Sequence, residues 1–473
     1  MSETGGASHG ADREPADGLV PAPDPETGAG AEPTGTAPEV LDASDGRSHP
    51  DPGRHASRRR LLGGGLAAAG AAAVAAGGYA VGRDSAPSAA KPAAAADDRV
   101  AFYGARQAGI ATPSQDRLAF AAFDVSVTDP QALAVMLGTW AAAAAQMTKG
   151  LAIGAVERTP SAPPVDTGEA TGLGAAGLTV TVGFGPSLFD GRFGLAKYRP
   201  AALAELPDLP GDGSLQPERS GGDICVQACA DDPTVAFHVI RNFARLARGT
   251  AVMKWSQLGF GRTSSTSTAQ TTERNLFGFK DGTRNVKAQE TATMDDYVWV
   301  GAETDKKWMR DGSYLVARRI RMLIESWDTS ALSDQESTFG RYKTSGAPLT
   351  GKHEFDTPDL TATSGGEPVV PANAHIRLAA PESNHGQKIL RRGYSYTDGI
   401  DATTGLLDAG LFFLAYQKDP RRQFVPIQRR LGTHDALNEY IRHTGSALFA
   451  VPPGLSGPGD WWGKQLFTEA GLV

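Results

Sequence analysis

Two cysteines in 473 residues are too few for the disulfide scaffold of a small secreted domain. They stand at Cys225 and Cys229 without a Cys-x-x-Cys-His run, which disfavours both a covalently attached c-type haem and a zinc knuckle. On a strand, residues four apart share a face but lie roughly 13 Å apart along it, beyond disulfide reach. The expectation is therefore two buried thiols. Aromatic residues make up only 7% of the chain, and they are absent from residues 1 to 56, where 11 acids stand against three arginines. That segment carries a net charge of −8 out of −7 for the whole chain, leaving the body near neutral. A near-neutral body without Lys/Arg blocks excludes a nucleic-acid partner, whose phosphates would need a basic face.

Residues 1–56 mix Pro, Gly, Ala and acids with few large apolar side chains. Such a segment cannot bury enough surface to offset chain entropy and reads as a disordered leader. Residues 57–96 read as a twin-arginine export signal. Ser57-Arg58-Arg59-Arg60 forms the basic start, Leu61 to Gly82 is uncharged and weakly apolar, and the small residues from Ala89 to Ala96 offer a cleavage site. The 22 uncharged residues could just span a bilayer, but seven glycines among them make a poor permanent span. The expected location is the extracellular or cell-envelope space. Substrates of this route are exported folded, often with a cofactor already inserted, so the signal also raises the expectation of a bound cofactor.

The remaining length suits two domains, placed at 97–300 and 301–473. The first shows strand Leu118 to Val127, a helix from Pro130 to about Met147, strands Leu178 to Phe184 and Asp223 to Cys229, a helix from Pro233 to Leu246, and strand Ala251 to Leu258. In the second, strand Tyr314 to Leu323, helix Ser330 to Phe339 and strand Ser446 to Val451 approach the same β-α-β-β-α-β order. A short repeat ties the halves together. A strand precedes Asp232-Pro233-x-x-x-Phe237-x-x-Ile240 in one and Asp419-Pro420-x-x-x-Phe424-x-x-Ile427 in the other. The fold class is α+β, with two ferredoxin-like units whose sheets are packed or joined and whose helices cover the outside.

Nine histidines are present, three of them in the leader. His238 falls inside a helix as a packing or surface residue, and His353, His385, His434 and His443 lie among polar residues suited to a solvated ring. His375 differs, because Val369-Val370-Pro371-Ala372-Asn373-Ala374 gives it an apolar approach. A lone buried histidine is more often a satisfied core residue than a ligand, and no second His or Cys stands at zinc spacing from it. The other informative segment is Asn275-Leu-Phe-Gly278-Phe279-Lys280-Asp281-Gly282-Thr283-Arg284-Asn285. Its two glycines permit a tight turn and close approach of a ligand, holding Asp281 in a defined place; an ordinary Asp-Gly turn is the simpler alternative.

Gly278-Phe-Lys-Asp281-Gly282 resembles the G-x-x-D-G motif of dye-decolourising (DyP-type) haem peroxidases. The runs from Phe102 to Pro113 and Arg318 to Trp327, the His375-Ile-Arg-Leu segment, and Ile389-Leu-Arg-Arg-Gly-Tyr-Ser-Tyr396 are similar to the exported, deferrochelatase-like subgroup. The resemblance implies a dimeric α+β barrel of two ferredoxin-like domains holding one noncovalent haem b. It also implies His375 as the proximal ligand and metal-binding residue, Asp281 as the distal acid/base, and Arg391 as the distal arginine, with Arg392 the competing choice. Haem contacts are expected from Gly282, Thr283, Arg284, Ala380, Pro381, Glu382 and Arg391, with Arg284 suited to a propionate. Glu439 is the expected carboxylate behind His375. A fixed guanidinium favours an ionised carboxylate, so an acid pH optimum is expected.

The implied reaction reduces H2O2 through a ferryl intermediate and oxidises a small-molecule reductant such as a dye, a phenol or a metal ion. Trp299, Trp308, Trp327, Tyr394 and Tyr396 are available to relay holes, although each is more readily a core residue. The alternative is a deferrochelatase or haem carrier working with membrane components of an iron-uptake system, which would need His375 but not Asp281 or Arg391. A haem-free ligand-binding protein of the same fold is the third reading. The family likeness also suggests a homo-oligomer.

Overall fold

The computed structural model buries several strands on both faces, Ile224–Ala230 among them. It describes residues 98–154 and 160–473, so the leader and the export signal lie outside the described residues. Among the described residues there are eleven strands: β1 (Arg117–Val125), β2 (Thr179–Phe184), β3 (Ile224–Ala230), β4 (Ala251–Arg262), β5 (Ser313–Met322), β6 (Thr363–Ser364), β7 (Glu367–Pro368), β8 (Leu390–Arg391), β9 (Tyr394–Ile400), β10 (Leu407–Gln417) and β11 (Ile441–Val451). Apart from the small β6–β7 hairpin they form one sheet in the order β5-β11-β2-β3-β1-β4-β9-β10-β8. A further pairing of β10 with β5 closes it into a barrel. Short β8 and longer β9 lie along the same edge of β10.

Each half has the ferredoxin-like strand order, β2-β3-β1-β4 in the first and β9-β10-β5-β11 in the second. The two open sheets are joined at both edges. The seams are narrow: β11 meets β2 at Ala450 and Phe184, and β4 meets β9 at Phe260/Ser395 and Arg262/Tyr394. Side chains complete them. Gln107 donates to Val182 O and Pro452 O and accepts from Val182 N, bridging β2 to the end of β11. At the other seam Gln257 donates to Asp398 and accepts from Arg319. Closure protects edges that would otherwise template aggregation.

The helices are α1 (Pro130–Met147), α2 (Pro233–Leu246), α3 (Thr291–Tyr297), α4 (Ile324–Asp328), α5 (Leu332–Phe339), α6 (His375–Ala379), α7 (Phe424–His434) and α8 (Lys464–Glu469). The first two start as their sequence dictates. Asp129 and Asp232 accept from backbone N–H groups of the first turn, and proline follows where no donor is needed. Along β1, Ala119, Ala121 and Phe123 face the core under these helices, while Leu118, Phe120 and Ala122 fill the barrel. Cys225 and Cys229 are both buried and free.

The repeated Asp-Pro does not start a helix in the second half. Arg421 holds the Asp419 carboxylate through Nε and Nη2 at 3.0 and 2.7 Å, and α7 begins only at Phe424, with Pro426 in its first turn. Trp299, Trp308, Trp327, Tyr394 and Tyr396 are all buried.

Candidate active site

The connections that the ferredoxin-like units leave free carry the candidate residues. Between β4 and β5, the Asp281 loop is anchored by Phe277 and Phe279, which enter a small core with Trp327, Phe339 and Leu437. Asn275 shapes the turn, its Oδ1 accepting from Phe277 N at 3.1 Å while its backbone N–H donates to Phe279 O at 3.0 Å. Gly278 has φ +82° and Gly282 φ +85°, conformations that favour glycine. A Cβ on Gly282 would also stand 2.9 Å from Ser264 Cα, so the loop lies flat on the segment after β4 only because that residue is glycine.

This loop brings Asp281 to Arg391 of β8. Arg391 Nη1 lies 2.5 Å from Asp281 Oδ1, and Asn275 Nδ2 approaches the other carboxylate oxygen at 3.4 Å. The neighbouring Arg392 turns the other way, as alternation along a strand requires. It is fully buried in the barrel, where it donates to Thr112 O and, at 2.5 Å, to Gln115 Oε1. Arg391 is thus the arginine beside Asp281.

His375 begins α6 in the long connection between β5 and β8. Its Nδ1 is 2.6 Å from Asp435 Oδ2, the ring meets Phe339 edge-on at 6.0 Å, and no described residue hydrogen-bonds Nε2. Burial pulls the imidazolium pKa down, but attraction to and hydrogen bonding with Asp435, and the field of Asp281, raise it overall. Arg391 opposes them, so the ring feels both members of the Asp281–Arg391 pair.

The expected partner Glu439 is corrected here, since that residue is exposed and Asp435 occupies the place behind the ring. Asp435 caps the short turn Ala436–Glu439 with Oδ1, which accepts from Leu437 N at 2.9 Å, and so its Oδ2 is free for the imidazole. Ala436 N donates to Asn373 O, tying the turn to the chain that leads into His375. An aspartate placed just before Ala-Leu is an ordinary capping signal, and it could have been read as such.

Arg284 and Glu382, both expected to touch a cofactor, pair with each other at 2.8 Å on the protein surface. Thr283 Oγ1 reaches Glu354 at 3.4 Å, and Glu354 also pairs with Lys280. Ala380 is buried, and Pro381 and Glu382 open the turn that follows α6. Arg341 has no counterpart in the sequence reading. It is buried, donates to the carbonyls of Gly346 and Glu354, and is pushed down to about 10 by burial and by the charges of Arg284 and Arg391. His443, expected to be solvated, is instead buried, and burial with the nearby Arg318 pushes it down to about 3.

The Dyp-type peroxidase N-terminal family model matches residues 107–261, and the C-terminal model matches residues 272–456. The chain belongs to the Dyp-type peroxidase family. Among curated relatives, Deferrochelatase of Escherichia coli K12 is 38% identical over 395 residues, covering 82% of this chain and 92% of the relative. Ferric DtpA from Streptomyces lividans is 43% identical with a TM-score of 0.71, over 78% of this chain and 97% of that one. A DyP-type peroxidase from Cellulomonas bogoriensis is 38% identical with a TM-score of 0.69, over 78% and 98%. This member is a haem peroxidase, and haem is its cofactor.

The residues fit that group. A histidine with a free Nε2 and a carboxylate behind Nδ1 suits an axial ligand. The Asp281–Arg391 pair supplies an acceptor and a fixed positive charge, and the carbonyl-bound guanidinium of Arg341 beside Arg284 suits anionic propionates. Partners behind a metal-ligating histidine are typically worth 10- to 100-fold in affinity or activity. Asp435→Asn is accordingly expected to weaken haem binding or peroxide turnover by about that factor. Spectrophotometric haem titration and steady-state rates check it, and values within threefold of wild type would rule it out.

Proposed function

We propose that His375 would hold the haem iron through Nε2, that Asp281 and Arg391 would handle the proton and the charge of peroxide, and that Arg284 and Arg341 would receive the propionates. The single observation that carries this reading is the Asp281–Arg391 ion pair whose field reaches a histidine with a free ring nitrogen. Haem b, when bound, supplies the iron that accepts oxidising equivalents from peroxide and passes them to a donor. The chain's own residues manage protons and charge. Asp281 would take a proton from one peroxide oxygen and return it to the other, which leaves as water. Arg391, always charged, offsets the negative charge that grows on that leaving oxygen.

The donors we propose are dyes, phenols or a metal ion, encountered outside the cytoplasm after twin-arginine export directed by Ser57 to Leu62. Kinship with Deferrochelatase across 82% of this chain supports a second reading, release of iron from haem, at the same site. One experiment separates the two. Haem-loaded protein is given H2O2 with a phenolic donor and, in parallel, a reductant with an iron chelator. Rapid donor oxidation without chelatable iron supports the peroxidase reading, chelatable iron with intact porphyrin supports the second, and neither outcome would defeat both.

A further inference from the structure

β8 is only two residues long, and this creates a bonding problem at Arg391. Successive residues of a strand point their backbone groups to opposite sides. Arg392 N donates to Leu414 O of β10 at 2.8 Å, so the N–H and C=O of Arg391 point away from the sheet, where no strand among the described residues pairs with them. Asn285 takes the place of a strand. Its Oδ1 accepts from Arg391 N and its Nδ2 donates to Arg391 O, both at 2.8 Å. A carboxamide offers the same donor and acceptor as a peptide group, so this two-bond ring reproduces one step of a β-ladder.

Asn285 is itself fixed. It is 5% exposed, Nδ2 also donates to Ser265 O at 3.0 Å, and its backbone N–H closes a turn onto Gly282 O at 3.0 Å. The turn from Asp281 to Asn285 therefore holds Arg391 twice, by the carboxylate at its guanidinium and by the amide at its backbone. On the far side, Arg392 is anchored inside the barrel. We infer that Asn285 is a positioning residue for peroxide cleavage, setting the distance between Asp281 and Arg391 through the Arg391 backbone. This rests on the proposed role of Arg391.

Asn285→Ala is expected to slow the reaction with H2O2 by roughly ten- to a hundredfold, the scale of moving a catalytic group by about an ångström. Haem affinity and the donor KM should stay unchanged. The deciding comparison is a cycle with Arg391→Ala. If Asn285 acts through Arg391, Asn285→Ala slows the wild type but has no further effect in Arg391→Ala. Equal slowing in both backgrounds would overturn the inference. So would a folded, haem-loaded Asn285→Ala at wild-type rate while Arg391→Ala is slow, a result that leaves the role of Arg391 standing.

If Arg391→Ala keeps the wild-type rate, the role of Arg391 fails and the inference falls with it. A second readout needs no haem, because hydrogen exchange of the Arg391 amide in the haem-free chain should speed up in Asn285→Ala, and unchanged exchange would overturn the inference. Should Asn285→Ala fail to fold, Asn285→Ser keeps a smaller polar side chain, cannot span both Arg391 backbone groups at once, and enters the same cycle.

Discussion

His375→Ala should bind haem far more weakly than the wild type and lose peroxide turnover altogether. Removing only a residue behind a ligand commonly weakens a metal site by about 10- to 100-fold, and removing the ligand itself must exceed that. The substitution also leaves Asp435 without its partner; that side chain is 3% exposed and, among the described residues, keeps the turn N–H of Leu437 alone. Absorbance titration of the haem-free chain checks the affinity. Free imidazole offers a further test, because the truncated side chain leaves room for it beside Asp435 and it should restore part of the ligation. A wild-type spectrum in His375→Ala, with undiminished turnover, would remove this histidine from the mechanism.

Asp281→Asn separates chemistry from binding. A positioned general acid/base typically contributes 10²- to 10⁴-fold, so kcat/KM for H2O2 should fall by about that factor while haem affinity and the ferric spectrum hold. Stopped-flow mixing with H2O2 measures the rate. A rate within a few-fold of wild type would assign the proton to another group.

Local signals in the sequence carried much of this structure. Asp129-Pro130 and Asp232-Pro233 place two helix starts because the cap, the missing donor and the first turn are neighbours in the chain. The repeated Asp419-Pro420 misleads, since Arg421 competes for the same carboxylate and a local pattern cannot weigh that. The residues alone leave closure open between packed and joined sheets, and the family resemblance supplies the barrel. Closure depends on seams as short as Ala450 with Phe184, completed by Gln107 from ahead of β1 and by Gln257 of β4 itself. The short motif around Glu439 points to that residue as the partner of His375, whereas the turn that presents Asp435 is fixed by capping and by Asn373. Arg341 was invisible because its surroundings come from the long connection before α6.

The closed ring also sets the order in which this chain can be completed. β11 is the strand that joins β5 to β2, and Asp435 lies just ahead of it. Until that last strand has left the ribosome, two sheet edges stay unpaired and the carboxylate behind His375 is missing from its place. Folding of the barrel and assembly of the haem pocket are therefore late events, dominated by contacts distant in sequence and correspondingly slow. A nascent chain stalled before β11 would be the aggregation-prone species, and one that chaperones must shield.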